Sequence, residues 1–140
     1  MARSMTLQVT VNVDVDDLDR AIAFYTRALD LRLGRRLFDD SVAELVGGTC
    51  TIYLLAKPSG SFTAANTSLT RMYQRHWTPV HLDFVVDDVS AAVERAVGAG
   101  ATLEGDIRSF AWGHLATLSD PFGNGFCAVQ FLGCGYDNLT

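Results

Sequence analysis

The chain has 140 residues, of which 49% are apolar and 19% charged, the balance of one ordinary globular domain. Its net charge of −5 and its pI of about 4.9 argue against a basic phosphate-binding face, so we expect no nucleic-acid partner. No apolar stretch is long enough to span a membrane, and Met1 to Thr6 lack the order of a signal peptide. Three cysteines without CxxC spacing, which are Cys50, Cys127 and Cys134, fit reduced thiols in a cytoplasmic protein.

The first part of the chain, residues 7–57, predicts the order strand, helix, strand, strand, strand. Residues 7–15 alternate between valines and polar side chains, which is typical of a strand with one apolar and one polar face. Asp16 or Asp17 can cap the helix predicted over 18–29, whose apolar residues recur at helical spacing. Three further strands are predicted over 31–38, 42–46 and 49–56, with turns at 39–41 and 47–48.

The second part, residues 79–132, repeats this order after a connector over 58–78. Turn-forming residues dominate the connector, and we predict one short helix in it near Leu69 to Arg75. A helix is predicted over 89–99, ended by the glycines that flank its last residue. Strands are predicted over 80–86, 102–107, 114–119 and 126–132, with a tight turn at 120–125. The tail that follows shows no clear period.

The two parts can be superposed at an offset of 71 residues, which places Thr10 on His81 and Asn12 on Asp83. A repeat of this kind fixes architecture. We therefore predict a single domain of α+β class, in which paired βαβββ modules form a curved mixed sheet around a concave cavity. The polar side of the first strand would line that cavity. The alternative is that this side is simply open to water.

Three segments resemble the vicinal oxygen chelate superfamily, which includes glyoxalase I, bleomycin-resistance proteins, fosfomycin-resistance enzymes and extradiol dioxygenases. They are residues 13–25 (VDVDDLDRAIAFY), 81–89 (HLDFVVDDV) and 120–124 (DPFGN). The resemblance spans residues 7–132 and implies the glyoxalase/bleomycin-resistance fold. This fold hosts many activities, so the function has to be argued from the site.

The resemblance also implies up to four metal ligands, usually histidine and glutamate, on the concave sheet. The corresponding positions in this chain are Thr10, Tyr53, His81 and Cys127. Only His81 is an ordinary ligand there, because threonine and neutral tyrosine bind divalent ions weakly. Two protein ligands fall short of the three or four found in typical sites, so we expect no metal and no other cofactor. The alternative is a divalent metal at His81 and Cys127, with Asp83 or Tyr53 recruited to it.

The predicted ligand-binding set adds four residues, which are Asn12, Phe38, Asp83 and Trp112. Aromatics at the cavity mouth of binding members stack on flat ligands, and core packing is the alternative for Trp112. His81 could be a catalytic base, because its ordinary pKa lies near neutrality, or simply a hydrogen-bonded histidine. Asp83 would either orient it or stay solvated. Cys127 is more readily interpreted as a small buried side chain than as a nucleophile.

Two functions of different class fit these residues. The first is metal-independent binding of a small molecule in the cavity, with a cationic or polar aromatic antibiotic or metabolite as the candidate ligand. The second is a lyase or isomerase of the glyoxalase type, which uses His81 as general base or as part of a residual metal site. A third option is a protein whose cavity is vestigial and whose role is subunit assembly. The apolar connector predicts a homodimer, with Trp77 at a core edge or at the subunit interface, and leaves open whether modules pair within or across chains.

Overall fold

A computed structural model describes residues 5–140, which form two modules, each with one helix and one sheet. Module 1 contains β1 (Val11–Val15), α1 (Leu18–Ala28), β2 (Arg32–Leu37), β3 (Val42–Val46) and β4 (Ile52–Ala56). Module 2 contains β5 (Leu82–Val85), α2 (Val89–Ala99), β6 (Thr102–Leu103), β7 (Arg108–Phe110), β8 (Gly113–Ser119) and β9 (Gly125–Phe131). A 3₁₀ helix (Gly135–Leu139) follows β9.

The two sheets have related topologies. The strand order is β1-β4-β3-β2 in module 1 and β5-β9-β8-β6 in module 2, where β7 also pairs with β8. The first strand of each module runs parallel to the last, and the other pairings are antiparallel. β1 and β5 are therefore edge strands, each with a neighbour on one side.

Local capping explains where the helices begin and end. Asp17 accepts a hydrogen bond of 3.1 Å from the backbone N–H of Arg20, and Asp88 accepts one of the same length from Ala91. Gly100, at φ +124°, ends α2 with a conformation that suits glycine. Within residues 5–140, neither α-helix combines the length and the hydropathy needed to cross a membrane.

A single core joins the modules, because α1 and α2 pack against each other as well as against their own sheets. Side chains from the helix-bearing sides of both sheets are buried in it; they include Val15, Leu45, Leu54, Leu118 and Phe126. Apolar burial of this extent is the main stabilising contribution to such a fold. The opposite side of each sheet carries polar side chains such as Asn12, Glu44 and Asp83 among apolar ones, and the modules share their helix-bearing sides.

Several predicted elements differ from the structure; β4 and β5, for example, begin at Ile52 and Leu82 rather than at residues 49 and 80. β1 begins at Val11 rather than at residue 7, because its partner β4 begins only at Ile52. The strand predicted over 102–107 stops at Leu103. The helix predicted over 69–75 is replaced by extended chain, which an isolated bridge between Phe62 and Thr70 holds together.

Trp77 is 81% exposed, so its predicted place at a core edge is wrong.

Candidate ligand-binding site

The side of the module 2 sheet that faces away from the helices brings together His81, Asp83 and Cys127. Asp83 lies beside Cys127 in the β5–β9 register, and His81 projects from the same side two residues earlier. The His81 Nε2 atom is 3.2 Å from an oxygen of Asp83. One potential ligand atom from each of the three residues lies within 4.8 Å of the others. The imidazole and the carboxylate are therefore in contact, while both side chains remain partly exposed.

Cys127 is 8% exposed and lies between β5 and β8. Burial raises the pKa of its thiol above the ordinary value, while the hydroxyl of Thr117, 3.8 Å from the sulfur, acts in the opposite direction. A thiol with a raised pKa is poorly ionised near neutral pH. The geometry consequently favours a neutral thiol in the site wall over a thiolate nucleophile.

An aromatic cluster lies at the other end of the same sheet side. Its members are Phe110, Trp112, Phe131 and Tyr136. The rings of Phe110 and Trp112 are stacked, with centroids 5.0 Å apart and planes inclined by 4°. Phe131 follows Cys127 by four residues on β9, which places the cluster about 13 Å from the thiol along the strand. Phe110 is 40% exposed and Tyr136 is 51% exposed, so the cluster presents ring surface to a ligand.

The corresponding side of module 1 carries a row of polar residues across three strands. Asn12, Tyr53 and Glu44 lie side by side on β1, β4 and β3. Arg35 donates three hydrogen bonds to the Glu44 carboxylate. Two come from its guanidinium, at 3.0 and 2.7 Å, and one from its backbone N–H, at 3.2 Å. The Tyr53 hydroxyl is 3.5 Å from the same carboxylate.

These contacts hold the pKa of Glu44 at about 2, chiefly through the side-chain hydrogen bond from Arg35, while desolvation acts in the opposite direction. Gly34 makes the approach possible, because a Cβ atom there would lie 2.7 Å from a carboxylate oxygen of Glu44. The β2–β3 register is irregular at the same place. Glu44 is therefore charged at neutral pH and is paired with Arg35.

The other predicted site residues are spread over the molecule. Asn12 and His81 line a common cleft of about 360 Å³ between the two edge strands. Thr10 is exposed on the segment that precedes β1, and Phe38, 77% exposed, lies on the β2–β3 turn. Tyr53 remains with Glu44 in module 1. The structure thus groups His81, Asp83 and Cys127, and it adds Trp112 to their sheet side.

Only some of the ligand positions that the resemblance implies hold residues that suit a metal ion. His81, Asp83 and Cys127 together offer the nitrogen, oxygen and sulfur donors that suit a soft divalent ion. On module 1, Thr10 and Tyr53 contribute only weak donors, and no further histidine lies among residues 5–72. Any metal would therefore be held by module 2 alone.

Sequence reasoning missed the Arg35–Glu44 pair, Phe131 and Tyr136. Glu44 carried a usable signal, since a glutamate in the middle of an otherwise apolar strand needs a partner when it is buried. Tyr136 carried none, because the turn that brings it to Trp112 is set by contacts between distant parts of the chain.

Comparison with known proteins gives a matching family model, relatives in sequence and solved structures of similar fold. The family model of a glyoxalase-like domain matches residues 10–129. Uncharacterized proteins of Mycobacterium bovis and Mycobacterium tuberculosis are each 32% identical in an alignment of 132 residues that covers 89% of this chain. The match covers 83% of the former protein and 74% of the latter.

Solved structures of three related kinds share the fold. A glyoxalase/bleomycin resistance protein/dioxygenase family enzyme from Burkholderia phytofirmans has a TM-score of 0.68 at 21% identity, covering 88% of this chain and 97% of its own. An antibiotic binding protein from Streptomyces gives 0.64 at 22% identity, covering 94% and 100%. A fosfomycin resistance protein from Listeria monocytogenes gives 0.72 at 15% identity, covering 98% and 100%. These likenesses confirm the predicted α+β fold of paired modules.

Proposed function

The chain belongs to the family of glyoxalase-like domains, within the vicinal oxygen chelate superfamily, and from this premise we propose that it binds a small molecule without a metal ion. One observation carries the proposal. The aromatic cluster and the His81–Asp83 pair lie on the same side of one sheet, with Phe131 about 13 Å from the level of Asp83 along the strands and about 20 Å from that of His81. A stacking surface at one end and hydrogen-bonding groups at the other are what a flat polar ligand requires.

The charges around this site narrow the class of ligand. Asp83 is acidic and 40% exposed at its side chain, and the chain as a whole carries a net charge of −5. A cationic group on the ligand would be attracted to Asp83, while an aromatic ring system would stack on the exposed rings of the cluster, where the Arg108 guanidinium lies 5.8 Å from the centre of the Phe110 ring. A planar aromatic compound with a cationic or polar substituent fits best, and an antibiotic or an aromatic metabolite would meet that description. The antibiotic binding protein of the same fold supports this choice.

A panel of planar aromatic antibiotics and metabolites, cationic and neutral, tests the proposal by thermal shift and calorimetry. A binding compound should raise the melting temperature with concentration. Trp112→Ala should weaken its binding at least about tenfold, because one stacking surface is lost. Val97→Ala, on the outer side of α2, serves as the matched control and should bind as the native protein does. A panel without any shift, or full binding by Trp112→Ala, would refute the proposal.

We also propose that the working form is a homodimer. The accessible surface of the chain is 9189 Å², whereas a compact monomer of 15.2 kDa exposes about 7,100 Å². Large apolar side chains account for much of the excess, at Met5, Leu7 and Val9 before β1 and at Phe62, Leu69, Met72, Trp77 and Val80 along the connector. Since the polar sides of the sheets lie away from the shared core, a second copy is what would cover them and close a groove.

A second candidate function is a metal-assisted lyase or isomerase, favoured by the three donors that lie within 4.8 Å of one another. A bound divalent ion would supply Lewis-acid polarisation of a substrate oxygen. His81, Asp83 and Cys127 would hold it, and the Cys127 thiol would have to release its proton. Without a metal, His81 oriented by Asp83 is the available base.

Cobalt titration separates the two candidates, since a cysteine-bound cobalt ion gives a sulfur-to-metal charge-transfer band. Equimolar cobalt binding with this band, lost in Cys127→Ser, would establish the metal site and overturn metal-independent binding. The absence of the band at millimolar cobalt, with ligand binding intact in the presence of a chelator, is the result we expect.

A further inference from the structure

A larger cavity lies at the junction of the two modules, away from the aromatic cluster. Its volume is about 650 Å³, within the range of about 300–1,000 Å³ that small-molecule sites occupy. Leu29, Leu31 and the loop 47–50 form one wall, and β5 and α2 form the other. The proposed function makes no use of this space.

The cavity exists because small residues stand where large ones would fill it. Ala28 near the end of α1, Ala92 and Ala96 on α2, and the glycine pair Gly47 and Gly48 all border it. Exposed residues of the 47–50 loop, together with Val85 and Arg95, line part of it, so the space is a cleft open to solvent rather than an interior void. The walls that remain are mostly apolar.

One cation borders this apolar space. Arg95, on α2, lines the cavity and forms no salt bridge with any residue of the described range 5–140. The single acidic residue in the wall, Asp83, is engaged by His81. A guanidinium binds a carboxylate through two parallel hydrogen bonds, and such bonds are stronger next to apolar surface than in water.

We propose that this junction cavity binds an amphipathic monocarboxylate, with its apolar body between the modules and its carboxylate on Arg95. Charge complementarity selects this class, because a neutral apolar molecule would leave the guanidinium without a partner and a dianion would bring a second charge against apolar walls. The cavity shares one wall residue, Asp83, with the site proposed on module 2, but Arg95 and the apolar walls lie outside that site.

Dansyl-labelled undecanoic acid and its methyl ester are suitable probes, since the dansyl fluorescence rises in an apolar environment. The acid should bind the native protein at least about tenfold more tightly than the ester, the discrimination expected of a charge-assisted hydrogen bond. The Arg95→Gln variant should bind the acid only as tightly as it binds the ester. Its affinity for the ester should equal that of the native protein. Equal affinities of acid and ester for the native protein, or no effect of Arg95→Gln, would overturn the proposal.

A pair of leucine substitutions on α2 locates the probe. Ala92→Leu fills the cavity and should abolish binding of both probes, whereas Ala91→Leu, one residue away on the exposed surface, should change neither. Trp112→Ala should also leave binding of the acid unchanged. If Trp112→Ala no longer bound the acid, or if Ala92→Leu still bound it, the probe would lie elsewhere and the proposed site would be refuted. This conclusion does not depend on the outcome for the aromatic ligands.

Discussion

Asp120 is a buried carboxylate, 5% exposed, that ties α1 to the turn between β8 and β9. One of its oxygens accepts hydrogen bonds from the backbone N–H groups of Phe122 and Asn124, at 2.8 and 2.9 Å. The other accepts from the Asn124 amide at 3.0 Å and from the hydroxyl of Tyr25 on α1. The turn 120–124, which carried part of the family resemblance, therefore joins the two modules, and its Asn124 lines the same cleft as Asn12 and His81.

We predict that Asp120→Ala destabilises the fold by about 3 kcal/mol or more, because each buried donor left without an acceptor costs about 1–3 kcal/mol. Urea unfolding measures the change. Tyr25→Phe should cost less, about 1–2 kcal/mol, since only one donor to the carboxylate is lost. The double variant should lose less stability than the sum of the two single losses, because both substitutions remove the same contact. An additive double variant would contradict the coupling of Tyr25 to Asp120, and an unchanged unfolding midpoint in Asp120→Ala would show that the carboxylate does not stabilise the fold.

Glu44 gives a prediction of pH dependence. Its pKa is about 2 in the folded chain, below the ordinary value of 4.5, so its charged form is the one that stabilises the fold. That stability is complete above pH 4.5 and is lost as the pH falls towards 2. At pH 7 the native protein should have a higher melting temperature than the Glu44→Gln variant. This difference in melting temperature should disappear on acidification. Because the Arg35 side chain is 68% exposed, solvent screens the pair and we expect a modest difference.

Glu94→Gln, on the exposed side of α2, is the control for this experiment and should follow the native melting curve throughout. A Glu44→Gln variant whose deficit persists unchanged at pH 2.5 would contradict the assigned role of the carboxylate.

At the scale of the elements, the start of β8 depends on Gly113. A Cβ atom at this position would lie 2.2 Å from the carbonyl oxygen of Gln130 and 3.1 Å from the Cα atom of Phe131. We predict that Gly113→Ala separates β8 from β9 at this end, costs about 2–4 kcal/mol and disturbs Trp112 fluorescence. Gly98→Ala is the matched control, because no atom lies within 4 Å of its Cβ position in α2. That control should be neutral or slightly stabilising.

The helices were predictable from the sequence because their signals are local. Apolar spacing and the capping residues Asp17 and Asp88 define α1 and α2 to within one residue. The strands were predictable in order but not in extent, since a strand ends where its partner ends. β7 was missed altogether because its pairing with β8 is formed across a turn that the sequence does not mark.

The candidate site was predictable in the same uneven way. His81 and Asp83 could be placed on one side of a strand from their spacing alone, and the resemblance brought Cys127 to them. The contacts of Glu44 with Arg35, and those of Tyr136 with Trp112, join separate elements and had to be observed. Tertiary contacts of this kind are not encoded by any local pattern.

At the scale of the whole molecule, the large apolar surface predicts self-association. Trp77, 81% exposed in a connector that also exposes Phe62, Leu69 and Met72, is the side chain with the most surface to bury against a second copy. We predict that the native protein is a dimer by sedimentation equilibrium at micromolar concentration. Trp77→Asp should weaken the dimer at least about a hundredfold, because buried tryptophans dominate interface energetics and a lone carboxylate is costly to bury.

Val97→Asp is the control for dimerisation, because Val97 is exposed on α2, apart from the connector. It should leave the dimer intact. If the groove closes only between two copies, Trp77→Asp should also lose affinity for the aromatic ligand, although Trp77 lies outside the aromatic cluster. A monomeric native protein would contradict the dimer. A monomeric Trp77→Asp variant that binds the aromatic ligand as tightly as the native dimer would show that one chain suffices, and that the polar side of module 2 works uncovered.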